Sequence, residues 1–352
     1  MPARASFATL PRCSTILKIT LAILVALYVL SHVAATPSQV VMDRKNTKHS
    51  KTTFVTHTST DTLAHEVLSG DGESVFREEG PVQENSSNPW AITYTPYTSA
   101  GACKTAQEIL ADVDEIAAAG FLAIRLYSTD CKVLTTHDLA ETLRENEMGL
   151  VLGVHVSSGG LETAYEQIDD ILAFREPGVI QMVVVGNDAI FNEYCKPEEL
   201  IGLLKRTKSA LSDIGYDGPI TTTEPIAILN EHKEQLCPHL DVLASNIQPF
   251  FDAGCAAQDA GQIVAQHLQV LGSICGHTRE AWNLETGWPS KGSEAHHRAV
   301  PGTTEQMAAV RSIWKEAGSR SAFHAFEDEM WKDEGVFGVE QYWGCMNIFS
   351  PR

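Results

Sequence analysis

Two carboxylic acids stand at the ends of apolar runs in this chain, and their pairing defines the chemistry open to it. The first is Glu285, in Ala281-Trp282-Asn283-Leu284-Glu285-Thr286-Gly287-Trp288-Pro289. The apolar residues up to Leu284 suit a buried strand, and Gly287 with Pro289 ends it, so Glu285 falls at the strand's carboxyl end. The second is Asp188, which closes Val179-Ile180-Gln181-Met182-Val183-Val184-Val185-Gly186-Asn187-Asp188. A single strand-end acid is as well explained by a structural salt bridge. Two of them supply the minimum apparatus for glycoside hydrolysis, one as proton donor and the other as nucleophile or base. A retaining mechanism needs the two carboxyls about 5–5.5 Å apart.

The elements that must position this pair follow from the hydrophobic pattern. Short apolar runs at 91–97, 121–128, 149–156, 179–188, 219–224, 242–250, 281–287 and 321–327 alternate with amphipathic stretches such as Lys104–Ala119, Glu198–Ile214 and Thr304–Ala317. In those stretches apolar residues recur every three or four positions. Eight βα units in succession predict an α/β fold, a (β/α)8 TIM barrel spanning residues 90–352. An open doubly wound sheet is the alternative, but no glycine-rich phosphate loop follows the first strand. In the barrel, Asp188 and Glu285 close strands four and seven at the carboxyl end, where such barrels keep their chemistry.

The stretches Tyr94-Thr95-Pro96-Tyr97, Ile124-Arg125-Leu126-Tyr127-Ser128-Thr129-Asp130-Cys131, Val185-Gly186-Asn187-Asp188-Ala189-Ile190-Phe191-Asn192, Glu285-Thr286-Gly287-Trp288-Pro289 and Gln341-Tyr342-Trp343-Gly344 together resemble glycoside hydrolase family 17, the β-1,3-glucanases of fungal cell walls and plants. The resemblance runs from about Trp90 to Phe349. It implies that Glu285 is the nucleophile and Asp188 the acid/base, where the family has Glu. It also implies that Asn187 binds the sugar hydroxyl beside the anomeric carbon, a contact that strengthens in the transition state. A second departure is Gln248, where relatives usually show His. The function implied is a secreted endo-β-1,3-glucanase or glucanosyltransferase acting as a monomer on cell-wall β-1,3-glucan, with no cofactor. The alternative is a carbohydrate-binding pseudoenzyme that keeps the cleft and has lost turnover. Glu193 lies past the strand end and is a poor substitute for the acid. The aromatic rings of Tyr94, Tyr97, Tyr127, Phe250 and Trp288 lie on or beside strand ends, where they fit sugar platforms and core packing equally.

Outside the barrel, residues 1–35 carry Arg4, Arg12 and Lys18 with no acid, then the apolar run Ile19–Leu30 and the small residues Val33-Ala34-Ala35. This pattern predicts a secretory signal cleaved after Ala35. The alternative is a membrane anchor through residues 19–35, although the apolar run is shorter than the roughly 20 residues of a spanning helix. Residues 36–89, poor in large apolar groups and rich in Ser, Thr, Glu and Gly, predict a disordered linker. Asn85-Ser86-Ser87 matches the N-glycosylation pattern there. A formal net charge of −19 argues against nucleic acid or anionic lipid as partner.

Of the 8 cysteines, Cys13 would leave with the signal. The rest, Cys103, Cys131, Cys195, Cys237, Cys255, Cys275 and Cys345, show no C-x-x-C spacing and read as disulfide partners, not metal ligands. Spacing leaves their connectivity open. The resemblance implies three bridges among the other six, with Cys255 outside them. No histidine spacing suits a metal, His296-His297 reads as a solvated pair in a polar loop, and no G-x-S-x-G nucleophile elbow is present.

Overall fold

The computed structural model describes residues 88–349 apart from 253 and 294–297. The predicted signal, nearly all of the linker with its Asn85 sequon, and the His296-His297 pair lie outside the described residues. Among the described residues no helix is long and apolar enough to cross a membrane.

Eight parallel strands close into a barrel in sequence order, β1 to β8. They are β1 Ala91–Tyr94, β2 Ala123–Leu126, β3 Gly149–Val154, β4 Ile180–Asn187, β5 Ile220–Thr223, β6 Leu243–Asn246, β7 Ala281–Thr286 and β8 Ser321–Phe323. Each expected strand is present but shorter, trimmed at the carboxyl end in all eight, where the chain passes into the loops that carry the site, and also at the amino end in β2, β4, β5 and β6. The helices between them are α1 Ala106–Ala118, α2 Leu139–Glu145, α3 Glu162–Phe174, α4 Pro197–Ser212, α5 Ile226–Glu231, α6 Lys233–Leu236, α7 Ala260–Ser273 and α8 Thr303–Ala317. Helix α1 starts where Thr105 and Glu108 form a capping box, each satisfying an amide the helix leaves open.

Period-two alternation divides the strand residues into two apolar layers. Ala91, Ala123, Val151, Met182, Val184, Ala244, Leu284 and Ala322 pack together inside the barrel. Trp90 joins them, its ring 4.4 Å from that of Trp282. Ile92, Ile124, Leu126, Leu150, Leu152, Val183, Val185, Leu243 and Phe323 face outward, against helix residues such as Val113, Ile168, Leu203 and Ile313. Farther along the same inward phase the strands carry polar groups such as Thr93 and Arg125. Gly153 on β3 is needed there, because a Cβ would collide with the carbonyl of Tyr127.

Among the described residues two disulfides are formed, Cys103–Cys131 and Cys237–Cys275. The first ties the loop after β1 to the loop after β2. The third expected bridge is absent. Cys195 and Cys345 are buried thiols, one in the turn after β4 and the other beyond β8, on opposite sides of an eight-strand ring. A bridge requires Cα atoms within about 7 Å, which those positions do not allow. Cys255, fully buried, belongs to neither bridge.

Candidate active site

Glu285 lies in β7, one residue before its end, with its carboxylate buried and surrounded by donors. The Tyr127 hydroxyl donates to Oε2 at 2.5 Å and Gln248 Nε2 donates to Oε1 at 3.0 Å. The Arg125 guanidinium stands 3.6 Å from Oε2. Burial pushes this carboxyl's pKa up, but His324, Arg125 and the Tyr127 hydroxyl outweigh it and hold it at about 2. Burial also lowers the pKa of His324 itself, so near neutral pH the imidazole carries little charge. The ionised state of Glu285 then rests on Arg125, the Tyr127 hydroxyl and the Lys332 cation.

Asp188 is placed by a turn rather than by the strand. Gly186 has φ of 82° and Asp188 has φ of 53°, so the chain swings over as β4 ends, and the Asp188 amide donates to the Thr223 carbonyl at 2.9 Å. The side chain is held loosely. Oδ2 accepts from Asn246 Nδ2 at 3.3 Å and from Asn187 Nδ2 at 3.4 Å. Burial first, and the charge of Glu285 second, push its pKa up to about 7, against the Asn246 hydrogen bond and Arg125. The two acids are therefore driven apart: one is held ionised and the other tends to keep its proton.

Arg125 joins them. Its guanidinium donates to Asn187 Oδ1 at 2.7 Å and to Asn246 Oδ1 at 3.4 Å, and it also contacts the Leu284 carbonyl. It lies 4.5 Å over the Tyr127 ring. Asn187 thereby has its carbonyl oxygen committed to Arg125 and Asn246, with its amide turned toward Asp188. Beside this network His324 faces Thr93 Oγ1 at 2.9 Å and the Tyr127 hydroxyl at 3.3 Å. Glu329, which accepts from Thr95 at 2.7 Å, and Lys332 form a buried ion pair at 2.5 Å.

The five aromatic residues expected at the site separate. Tyr127 is two residues beyond the inward-facing Arg125 and reaches the nucleophile. Tyr94 is one residue out of phase with the inward Thr93, so it faces the helices, where its hydroxyl donates to Asp112 of α1 at 2.7 Å. Tyr97 is partly exposed at the rim, its ring tilted against that of Trp331 with centroids 5.1 Å apart, and its hydroxyl donates to Asp130. Phe250 and Trp288 are fully buried and pack edge to face at 5.2 Å, with Trp343 6.0 Å from Phe250. They offer no ring face to a sugar and serve as packing behind the strand ends.

Sequence reasoning did not single out Arg125, Asn246, Glu224, His324, Glu329 or Lys332 for the site. A charged residue at an inward phase of an otherwise apolar strand was a usable signal for Arg125. For His324 the same parity argument applies through Ala322. Glu224 ends the run Thr221-Thr222-Thr223-Glu224, a third strand-end acid. Among the described residues no cluster of side chains suits a metal ion.

Comparison with known proteins places this geometry in context. Residues 91–344 match the model of the BtgE/BtgC glycoside hydrolase domain. A probable beta-glucosidase btgE of Aspergillus fumigatus is 42% identical over 264 residues, covering 75% of this chain and 46% of that protein. The namesake in Emericella nidulans is 33% identical, covering 75% and 48%. The chain thus spans about half the length of these relatives. Among solved structures, the glycoside hydrolase family 17 beta-1,3-glucanosyltransferase of Rhizomucor miehei superposes with a TM-score of 0.62 at 16% identity, covering 73% of this chain and 92% of that one. An endo-laminarinase from Formosa Hel1_33_131 gives 0.60 at 18%, covering 73% and 83%. At such identities the likeness is one of fold.

Proposed function

The chain belongs to the BtgE/BtgC glycoside hydrolase family, and on that premise we propose that it cleaves or transfers β-1,3-glucan through a covalent glycosyl intermediate. The observation that carries this reading is the pair of strand-end carboxyls with opposed environments: Glu285 held at about 2 and Asp188 raised to about 7. Carboxyls driven apart in this way divide the roles of a glycosidase. Glu285 is the nucleophile and attacks the anomeric carbon as the ionised group. Asp188 is the acid, gives its proton to the departing glycosidic oxygen, and then takes a proton from the water or sugar hydroxyl that resolves the intermediate. Arg125 and Tyr127 keep the nucleophile charged and aimed. The unpartnered, buried Oε1 of Gln248 is an acceptor available to a sugar hydroxyl in the same place.

The substrate class is supported by the names of the fold neighbours, a beta-1,3-glucanosyltransferase and an endo-laminarinase. Secretion to the cell exterior or wall is part of the same reading. Two disulfides within the barrel fit an oxidising compartment.

The test is Glu285→Gln, assayed for reducing-sugar release from laminarin and for laminari-oligosaccharide binding. Cleavage lost with binding kept is the expected result, and release undiminished in this variant refutes the assignment. The short side chain of Asp188 favours a second reading, a glucan-binding protein without turnover. It predicts a parent chain that binds the same oligosaccharides and releases no sugar.

A further inference from the structure

We propose that Glu224 is a positioning residue for Asp188: its two carboxyl oxygens clamp the turn that carries Asp188 and so fix where that side chain stands. The inference rests on the reading of Asp188 as the acid and adds a third carboxyl to that site.

Glu224 follows β5 directly and is completely buried. Its Oε1 accepts the amide of Ile190 at 2.8 Å and its Oε2 accepts that of Phe191 at 3.1 Å. The Ala189 amide also donates to it. These are the leading amides of the turn after β4. That turn closes on itself through Asn192, which donates from its backbone amide at 2.9 Å and its side chain at 2.8 Å to the Asp188 carbonyl. The first amides of such a turn have no acceptor within it, and a buried amide left unsatisfied costs about 1–3 kcal/mol. Glu224 supplies the acceptor from the neighbouring strand.

The anchoring reaches Asp188 from both sides. Its own amide is bound to the carbonyl of Thr223, the residue before Glu224, and the next three amides are bound by the Glu224 side chain. A non-glycine residue at φ of 53° persists only where its surroundings over-determine it. Glu224 and Thr223 provide that determination. The direction in which Asp188 projects is thus set by β5, a strand that presents no group to Glu285 itself.

The clamp also sets the electrostatics of the turn. Each oxygen of Glu224 is engaged by an amide, whereas the donors on Asp188 are longer, at 3.3 and 3.4 Å. Burial raises both carboxyls, Asp188 to about 7 with the charge of Glu285 acting second, and Glu224 to about 8 with the charge of Asp188 acting second against the three amides. The groups facing the pair are Glu285 on β7, Arg125 on β2 and Asn246 on β6 for Asp188, and the Cys195 thiol for Glu224. Arg125 is the cation among them, and it serves Glu285 as well.

The experiment is a carbon-13 NMR titration of protein labelled at the Asp carboxyl, with Asp188→Asn identifying the resonance, on the parent and on Glu224→Gln. Removing one acceptor oxygen should loosen the turn, so the amide resonances of Ile190 and Phe191 should move and the Asp188 midpoint should shift as its surroundings change. The basic limb of laminarin hydrolysis should shift with it. An unchanged midpoint with unchanged amides overturns the proposal. A parent inactive on laminarin whose Ile190 and Phe191 amides and Asp188 midpoint still shift in Glu224→Gln would refute the glucanase reading and leave this one standing. Should Glu224→Gln fail to fold, Glu224→Asp decides. It keeps the carboxyl and shortens the reach, so faster hydrogen exchange at Ile190 and Phe191 supports the clamp, and unaltered exchange overturns it.

Discussion

Replacing Tyr127 by Phe removes one atom from the nucleophile's surroundings and leaves the rest in place. The hydroxyl lost is the one donating to Glu285 Oε2 at 2.5 Å. The ring beneath the Arg125 guanidinium, 4.5 Å away, is retained, as are Gln248 at 3.0 Å and Arg125 at 3.6 Å from the carboxylate. His324 keeps Thr93 as partner. A hydrogen bond to a charged group is worth about 1.5–3 kcal/mol, and 1.36 kcal/mol corresponds to one pKa unit. The Glu285 pKa should therefore rise by about 1–2 units, from about 2 to roughly 3–4. Glu285 acts as the ionised group, so activity disappears as pH falls through its pKa, and the acidic limb of kcat/KM should shift upward by the same amount. Plateau activity should also drop, by about tenfold or more, because the carboxylate loses a contact that aims it. The linkage has the corresponding sign. A depressed carboxylate contributes stability above its unfolded pKa, about 4.3, and loses it as pH falls toward its folded value, so the variant should lose less stability across that acidic window. The assay is reducing-sugar release from laminarin between pH 2 and 8, with thermal unfolding at the same pH values. An acidic limb that stays in place while activity is measurable would refute the assignment of Tyr127 as one of the partners that keep Glu285 ionised.

Two further perturbations address the acid and the scaffold. Asp188→Glu extends the loosely held carboxyl by one C–C bond, roughly 1.5 Å, and, if reach limits the parent, laminarin cleavage should rise by about an order of magnitude or more; a fall would show that the pocket is fitted to Asp. Replacing both Cys103 and Cys131 by Ser opens a bridge with a sequence separation of 28, and the chain-entropy relation gives a loss of about 3.6 kcal/mol, readable as a lowered denaturation midpoint in urea. A midpoint unchanged by the double substitution would mean that the bridge does not restrain the unfolded chain as that relation assumes.

The barrel and its two strand-end acids were legible in the sequence because both depend on local pattern. Apolar runs of strand length alternating with helical periodicity specify βα units one after another, and Gly or Pro after a run marks where each strand releases its last residue into a loop. Glu285 was therefore placed in β7 and Asp188 at the end of β4 before any contact was known, and the structure sets Asp188 one residue beyond that strand, in the turn. Parity along a strand also carries the distinction between Tyr127, which shares the inward face with Arg125, and Tyr94, which does not. What sequence did not contain was the meeting of residues far apart in the chain. Arg125, Asn187, Asn246 and Glu285 come from four strands and touch only because the barrel closes. The same holds for the ionisation of the two acids, which is set by burial and by the charges that closure brings near, and for the separation of Cys195 from Cys345. Trp288 and Phe250 stand beside the strand ends in sequence, yet loop packing turns them inward and covers their faces. Local pattern decides which residues reach the mouth of the barrel, whereas charge, proton and exposure at that mouth depend on neighbours supplied by other strands, and only the tertiary structure brings those into range.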